Sequence, residues 1–364
     1  MKVSKRLISI LLVVAFLGIS MSAFAQGEKE KPYIAVVSKG EQHDFWQQVK
    51  LGANDAAEKL GVDMTFEGPA SESDVQDQVD MLKNALAKKP VAIALAALNT
   101  GAVMEQLQQA LDQKIPVIGF DSGVPDAPAG SIYANASTDN YAAAGLAAKK
   151  MFAVIKDDIE KATAADPVTL VVMNQDASGE SLLSRGKGFR DNMVDLITSG
   201  TGLSKGDISV IGNPAYIAAD SPVSGNKVFI EMIVPASASA TDTTASANAV
   251  LNKVADKNIK GIFCSNEATV KGLLAATNDG VDLPAKYPGL TVVGYDAGAG
   301  QKNAVRKEFF LGSITQDPYQ IGYKAITLAY DAYMGKPVSD VDTGAKFYNK
   351  DNMDDDDIKG LLYD

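Results

Sequence analysis

Two aspartates are the residues of this chain most open to chemical reading. Asp121 sits in PVIGFDSG, residues 116–123, and Asp296 in TVVGYDAG, residues 291–298. Each phrase is an apolar run, then Gly, an aromatic, Asp, a small residue and Gly. Neighbouring segments echo in the same order. VAIALAALN, ending at Asn99, resembles KGIFCSN, ending at Asn266, and YIAVVSKG (33–40) resembles TLVVMNQD (169–176). The pattern predicts two lobes of one architecture, each ending a buried strand on an aspartate. In parallel α/β sheets, ligands sit beyond the carboxyl ends of the strands. Two facing lobes would make a cleft with one carboxylate from each side.

Paired carboxylates can run glycoside hydrolysis, but no catalytic signature accompanies this pair. Other enzyme motifs fail on their letters. GLSKG (202–206) fits a nucleophile elbow, yet that order needs a histidine after the serine, and His43 comes long before it. SRGKG (184–188) lacks the upstream Gly and the Ser or Thr of a phosphate loop, and GAG (298–300) is not a dinucleotide fingerprint. One His and one Cys leave few transition-metal ligands. DNMDDDD (351–357) lacks the central Gly and closing Glu of a calcium loop and reads as a solvated helix start. The expectation is a non-enzyme with no metal and no cofactor.

The elements that would carry the aspartates alternate. Apolar strand runs fall at 33–38, 62–67, 91–98 and 116–120, with helical spacing at 45–60, 73–88, 101–113 and 139–155. The second half repeats this: strands at 168–174, 208–212, 260–265 and 290–295, helices at 181–197, 244–256 and 267–279. Alternation of this kind predicts parallel sheets with crossover helices. Residues 213–241 break the pattern with three prolines and a Ser/Ala/Thr-rich run. They read as an elaborated loop holding one strand, VFIEMIVP (228–235).

The N-terminus reads as a secretory signal: Lys2, Lys5 and Arg6, a short apolar core from Leu7 to Ile19, then Ala23-Phe24-Ala25. Cleavage would leave a mature chain from Gln26, and no cysteine near the cut offers a lipid anchor. The net charge is −11, and loss of three basic residues makes it −11 − 3 = −14. So acidic a chain argues against nucleic acid and against anionic membrane. The lone Cys264 reads as a buried, inert thiol.

The chain resembles the ribose-type periplasmic sugar-binding proteins, the solute receptors of ABC importers. The resemblance spans the mature chain and rests on FWQQVKLGA (45–53), PVIGFDSG, STDNYAAAG (137–145), SRGKGF (184–189), GIFCSNE (261–267), VVGYDAG and ITQDPYQIG (314–322). It implies an α/β fold of two doubly wound parallel-sheet lobes joined by a three-strand hinge. The first lobe would be 32–137 with 317–340, the second 138–316 with 341–364. Bends are expected near Ser137–Asp139, Gln316–Pro318 and Val338–Thr343. It also implies a monosaccharide, pentose or hexose, as ligand. Phe45 and Trp46 match the family's aromatic pair, Asp121 and Asp296 its strand-end carboxylates, Arg185 its arginine, Asn266 its asparagine, and Gln316 its hinge glutamine. Aromatic rings cover a sugar's C–H faces, while charged planar groups take its hydroxyls. His43-Asp44 departs from the Asn that close ribose receptors carry before the aromatics; His43 is either a hydroxyl partner or an exposed loop residue. The implied partner is an inner-membrane ABC permease, the implied place the periplasm, and a monomer without membrane insertion is expected. A sensory receptor for a chemotaxis or autoinducer sugar is the alternative.

Overall fold

The apolar runs pair into two sheets. The computed structural model describes residues 31–41 and 43–363; the expected signal peptide, 1–25, lies outside the described residues. The strands are β1 (Tyr33–Val37), β2 (Asp63–Glu67), β3 (Ala92–Leu95), β4 (Val117–Phe120), β5 (Ile132–Ser137), β6 (Val168–Met173), β7 (Ile208–Gly212), β8 (Val228–Ile233), β9 (Ile259–Cys264), β10 (Thr291–Tyr295), β11 (Gly312–Gln316), β12 (Val341–Asp342) and β13 (Ala345–Tyr348). The helices are α1 (Asp44–Leu60), α2 (Val75–Ala87), α3 (Met104–Asp112), α4 (Asn140–Glu160), α5 (Glu180–Gly200), α6 (Ala240–Leu251), α7 (Glu267–Ala276), α8 (Asp282–Lys286), α9 (Ala299–Arg306), α10 (Pro318–Tyr333) and α11 (Asp356–Lys359).

The first sheet runs β12-β5-β4-β3-β1-β2 and the second β13-β11-β10-β9-β6-β8-β7. Every pairing is parallel except β11 with β13. This is the expected α/β fold of two doubly wound sheets. Helices cover both faces, and the pleat sorts the core accordingly. Ile34 and Val36 pack in the cluster with α1 and α10, while Ala35 and Val37 join α2 and α3 on the opposite face. The second sheet divides likewise, with Leu170 and Val172 toward α4 and α5, and Val171 and Met173 toward α6 and α7.

The chain passes between the sheets three times, after β5, after β11 and after β12. The first two passages end on an aspartate that caps the next helix. Asp139 accepts from Ala142 N at 2.9 Å, and Asp317 from Gln320 N at 2.9 Å. Asp342 joins two passages, accepting from Asp139 N at 3.0 Å. Helix α10 comes back to the first lobe because two glycines let it touch α1 backbone to backbone. A Cβ on Gly322 would lie 1.9 Å from Val49 O, and one on Gly52 2.0 Å from Tyr319 O.

Residues 213–241 are more than a loop. Strand β8 lies beside β6 in the second sheet, and β7 takes the edge beyond it. Two adjacent parallel strands need a crossover of about a dozen residues, and 213–227 supplies it. Helix α6 starts earlier than its spacing suggested because Ser239 caps it through Asp242 N. In the acidic tail, Asp354 pairs with Arg306, Asp357 with Lys346 and Asp356 with Lys359, and α11 begins there. Cys264 is buried and free, its thiol pushed up by that burial.

Candidate functional site

The carboxyl ends of strands from both sheets face one cavity. From the first lobe come Lys39 after β1, Glu72 after β2, Asp121 after β4, and His43, Phe45 and Trp46 at the start of α1. From the second come Leu182 and Arg185 on α5, Asn266, Glu267 and Ala268 after β9, Asp296 after β10, and Gln316 at the end of β11. All eight residues singled out in the sequence meet here. The enclosed space is about 30 Å³. That is room for a water or two as the side chains stand.

The repeated phrase has a structural reason. Asp121 has φ 54° and Asp296 φ 76°, the left-handed region that few residues other than glycine adopt. Asp tolerates it. Each aspartate's N–H still donates to the neighbouring strand, Asp121 to Ala136 O at 3.1 Å and Asp296 to Ile314 O at 2.6 Å. The strand thus ends by turning its carboxylate into the cleft. The glycine two residues earlier leaves room beneath: a Cβ on Gly294 would lie 2.6 Å from Gln301 Nε2.

Asp296 is the better connected of the two. Its Oδ2 accepts from Glu267 N at 3.0 Å and its Oδ1 from Gln316 Nε2 at 2.7 Å. Burial pushes its carboxyl up to about 6; Arg185 opposes this and the Glu267 charge adds to it. Arg185 is held flat, its guanidinium 3.8 Å over the Tyr295 ring, with Nε donating to Asn140 Oδ1 at 2.7 Å and an amino group to Ser265 O at 3.1 Å. Its nearest approach to Asp296 Oδ2 is 4.0 Å. A guanidinium so fixed loses little freedom when it takes up a ligand.

Asp121 instead faces Lys39, whose Nζ lies 3.1 Å from Oδ2, a charge pair without hydrogen-bond alignment. Burial lowers the Lys39 pKa, but Asp121 and Glu72 outweigh it and hold the ammonium charged. Burial likewise raises Glu72, while Lys39, His43, and hydrogen bonds from Gln175 and Trp46 keep its carboxyl below its usual value. Phe45 and Trp46 are both buried, edge to face at 5.0 Å, and both border the cavity. Both also belong to the first lobe's hydrophobic core, Trp46 packing edge to face on Phe120, so the first turn of α1 joins the core to the cavity wall. His43 stands at the N-cap position of α1, with Nδ1 3.4 Å from Lys271 Nζ and 3.8 Å from Glu267 Oε1 of the other lobe. Further contacts cross the cleft. Lys39 donates to Ser181 Oγ at 3.3 Å, and Gln175 Nε2 donates to Glu72 Oε2 at 2.8 Å.

Sequence reasoning missed Lys39, Glu72 and Glu267. Lys39 carried a signal, since it lies at the strand end within the echo YIAVVSKG. Glu72 carried none; it lies in the irregular segment after β2.

The sequence matches the periplasmic binding protein domain over residues 34–337. The chain belongs to the periplasmic binding protein family. Among curated relatives of this family, it is 24% identical to the D-allose-binding periplasmic protein of Escherichia coli (strain K12) over 335 residues, 92% of this chain and 94% of that one. Among solved structures of the fold, it is similar to a Brachyspira murdochii protein described as an ABC transporter, LacI family transcriptional regulator. That match has 37% identity and a TM-score of 0.75, covering 92% of this chain and 99% of that one. An ABC transporter solute-binding protein from Agrobacterium vitis with bound D-fucose follows at 28% identity and TM-score 0.72, covering 91% and 100%.

Proposed function

We propose that this protein captures a neutral monosaccharide between its lobes and delivers it to an inner-membrane ABC permease. The observation that carries the reading is the convergence of Asp121 and Asp296, one from each sheet, on a cavity that Trp46, Phe45 and Arg185 also line. Carboxylates and a guanidinium match a hydroxyl rim, and aromatic rings match C–H faces. His43, Asn266 and Gln316 add groups that donate or accept. The cavity holds four carboxylates against the cations of Lys39 and Arg185, a balance that disfavours an anionic guest. The relatives named for D-allose and bound to D-fucose are receptors for such neutral sugars.

Capture works by hinge bending, the guest shifting the population from open to closed. The bends fall at Ser137–Asp139, Gln316–Pro318 and Thr343–Gly344. The third falls at the end of the stretch expected, Val338–Thr343, and the pairing of Val341 and Asp342 with β5 supports it. The protein acts as a periplasmic monomer released by cleavage after Ala25, and it binds without turnover. Among the described residues no helix is long and apolar enough to cross a membrane. Calorimetry with pentoses and hexoses tests this: saturable binding with the sugar recovered unchanged supports it, and a folded protein that binds none overturns it.

A further inference from the structure

Gln175 joins the lobes without lining the cavity. It follows β6 in the second lobe and is 2% exposed. Its amide nitrogen donates across the cleft to Glu72 Oε2 at 2.8 Å, and its amide oxygen accepts from Asn266 Nδ2. The other oxygen of Glu72 accepts the Trp46 indole N–H at 2.8 Å. One chain of hydrogen bonds therefore runs Trp46–Glu72–Gln175–Asn266, and every member except Gln175 borders the cavity.

We propose that Gln175 is a positioning residue for ligand capture, a clasp that fixes Glu72 of one lobe and Asn266 of the other in the closed cleft. The proposal rests on the sugar-capture reading. Only a carboxamide fits the position. Glu72 offers an acceptor and needs a donor, whereas Asn266 offers a donor and needs an acceptor; an amide supplies both from one planar group. The bonds are made away from water, where a broken one leaves a buried partner unsatisfied. When the lobes part, Glu72 leaves with the first lobe and water replaces the clasp. Its contribution thus belongs to the closed form, and its loss should speed ligand escape more than it weakens the fold. The charges facing Glu72 are Lys39 and His43. Asp176, next to Gln175, turns its carboxylate to Ser178 N and Gly179 N instead, each at 2.8 Å.

The test compares wild type, Gln175→Leu and Gln175→Glu against a panel of neutral pentoses and hexoses, between pH 5 and pH 8. Trp46 is the chain's one tryptophan, so its emission follows closure directly. Gln175→Leu should weaken binding about ten- to a hundredfold, chiefly through faster dissociation, with its melting temperature little changed. Gln175→Glu keeps the shape but sets a second carboxylate against Glu72. Two such carboxylates cannot both stay ionised, so closure must take up a proton. Its affinity relative to wild type should be lowest at pH 8 and should recover as the pH falls to 5. A purely structural role would give a loss that pH does not relieve. If wild type binds and Gln175→Leu binds equally well, or if the relative loss of Gln175→Glu is the same at every pH, the clasp is wrong. A wild type that binds no sugar overturns the capture reading and this inference together.

Discussion

Asp121 and Asp296 hold the same uncommon backbone state at equivalent strand ends, with φ at 54° and 76°, and they meet across one cleft. Observed strain of this kind is found where a side chain must be aimed. Their surroundings differ, however. Asp121 is balanced by an ammonium, and Asp296 by backbone and amide donors with a guanidinium further off. The two lobes share a frame but present different electrostatics to a guest, so one face of a sugar can be told from the other.

The raised carboxyl of Asp296 predicts a proton linkage. Buried, its carboxyl is pushed up to about 6; exposed, it titrates at about 3.9. Between those values the closed form binds the proton and the open form does not. Closure therefore takes up protons in that window, and this contribution to the closed form is lost as pH rises through about 6. Calorimetry at pH 5.5 in buffers of different ionisation enthalpy should show proton uptake on sugar binding. Asp296→Asn should abolish it, and proton release in the wild type would contradict the assignment.

Lys39 should matter to the closed form far more than to the fold. Its ammonium pairs with Asp121 and donates to Ser181 across the cleft. Lys39→Met leaves Asp121 and Glu72 buried with less compensation, a change of about 3 kcal/mol or more when a buried pair loses one member. Sugar affinity should fall about a hundredfold or more. The melting temperature should move little, because water reaches both carboxylates once the lobes part. Wild-type affinity in this variant would remove Lys39 from the site.

The return of α10 onto α1 depends on Gly322, whose added Cβ would overlap Val49 O. Backbone cannot swing aside as a side chain can. Gly322→Ala should cost about 2 kcal/mol or more, a fall of about 3 °C or more in thermal midpoint. Gly360→Ala, with open space around it, should be neutral. Equal melts for the two variants would show that the helices separate freely.

Much of this was readable in the chain because the repeat writes its own grammar. Gly-aromatic-Asp-small-Gly marks a strand end twice and gives Asp121 and Asp296; the other six residues were legible only through the family resemblance, and all eight border one cavity. The places that resisted reading are physical exceptions to periodicity. Glu72 lies in a segment with no repeat, and its place is set by tertiary bonds, from Trp46 of its own lobe and Gln175 of the other. Strand β8 was visible in VFIEMIVP, but its place beside β6 was not, since sheet order is set by a crossover that leaves no period. Strands β12 and β13 are short, and their pairing comes from chain passages rather than apolar alternation. Helix α10, by contrast, opens on Asp317 as cap and Pro318 at its first position, a helix start legible in the sequence.

The central claim is that the two repeated aspartates grip one guest from opposite lobes. Calorimetric titration of wild type, Asp121→Ala and Asp296→Ala with the sugar that wild type binds tests it most directly. Losing either carboxylate strands a buried partner at about 2–4 kcal/mol, so each variant should bind about 30- to 1000-fold more weakly while staying folded. Asp176→Asn serves as control, because Asp176 also follows a strand but turns its carboxylate to Ser178 and Gly179; it should bind like wild type. If both alanine variants also bind like wild type, the cleft is not the site and the repeat is structural alone.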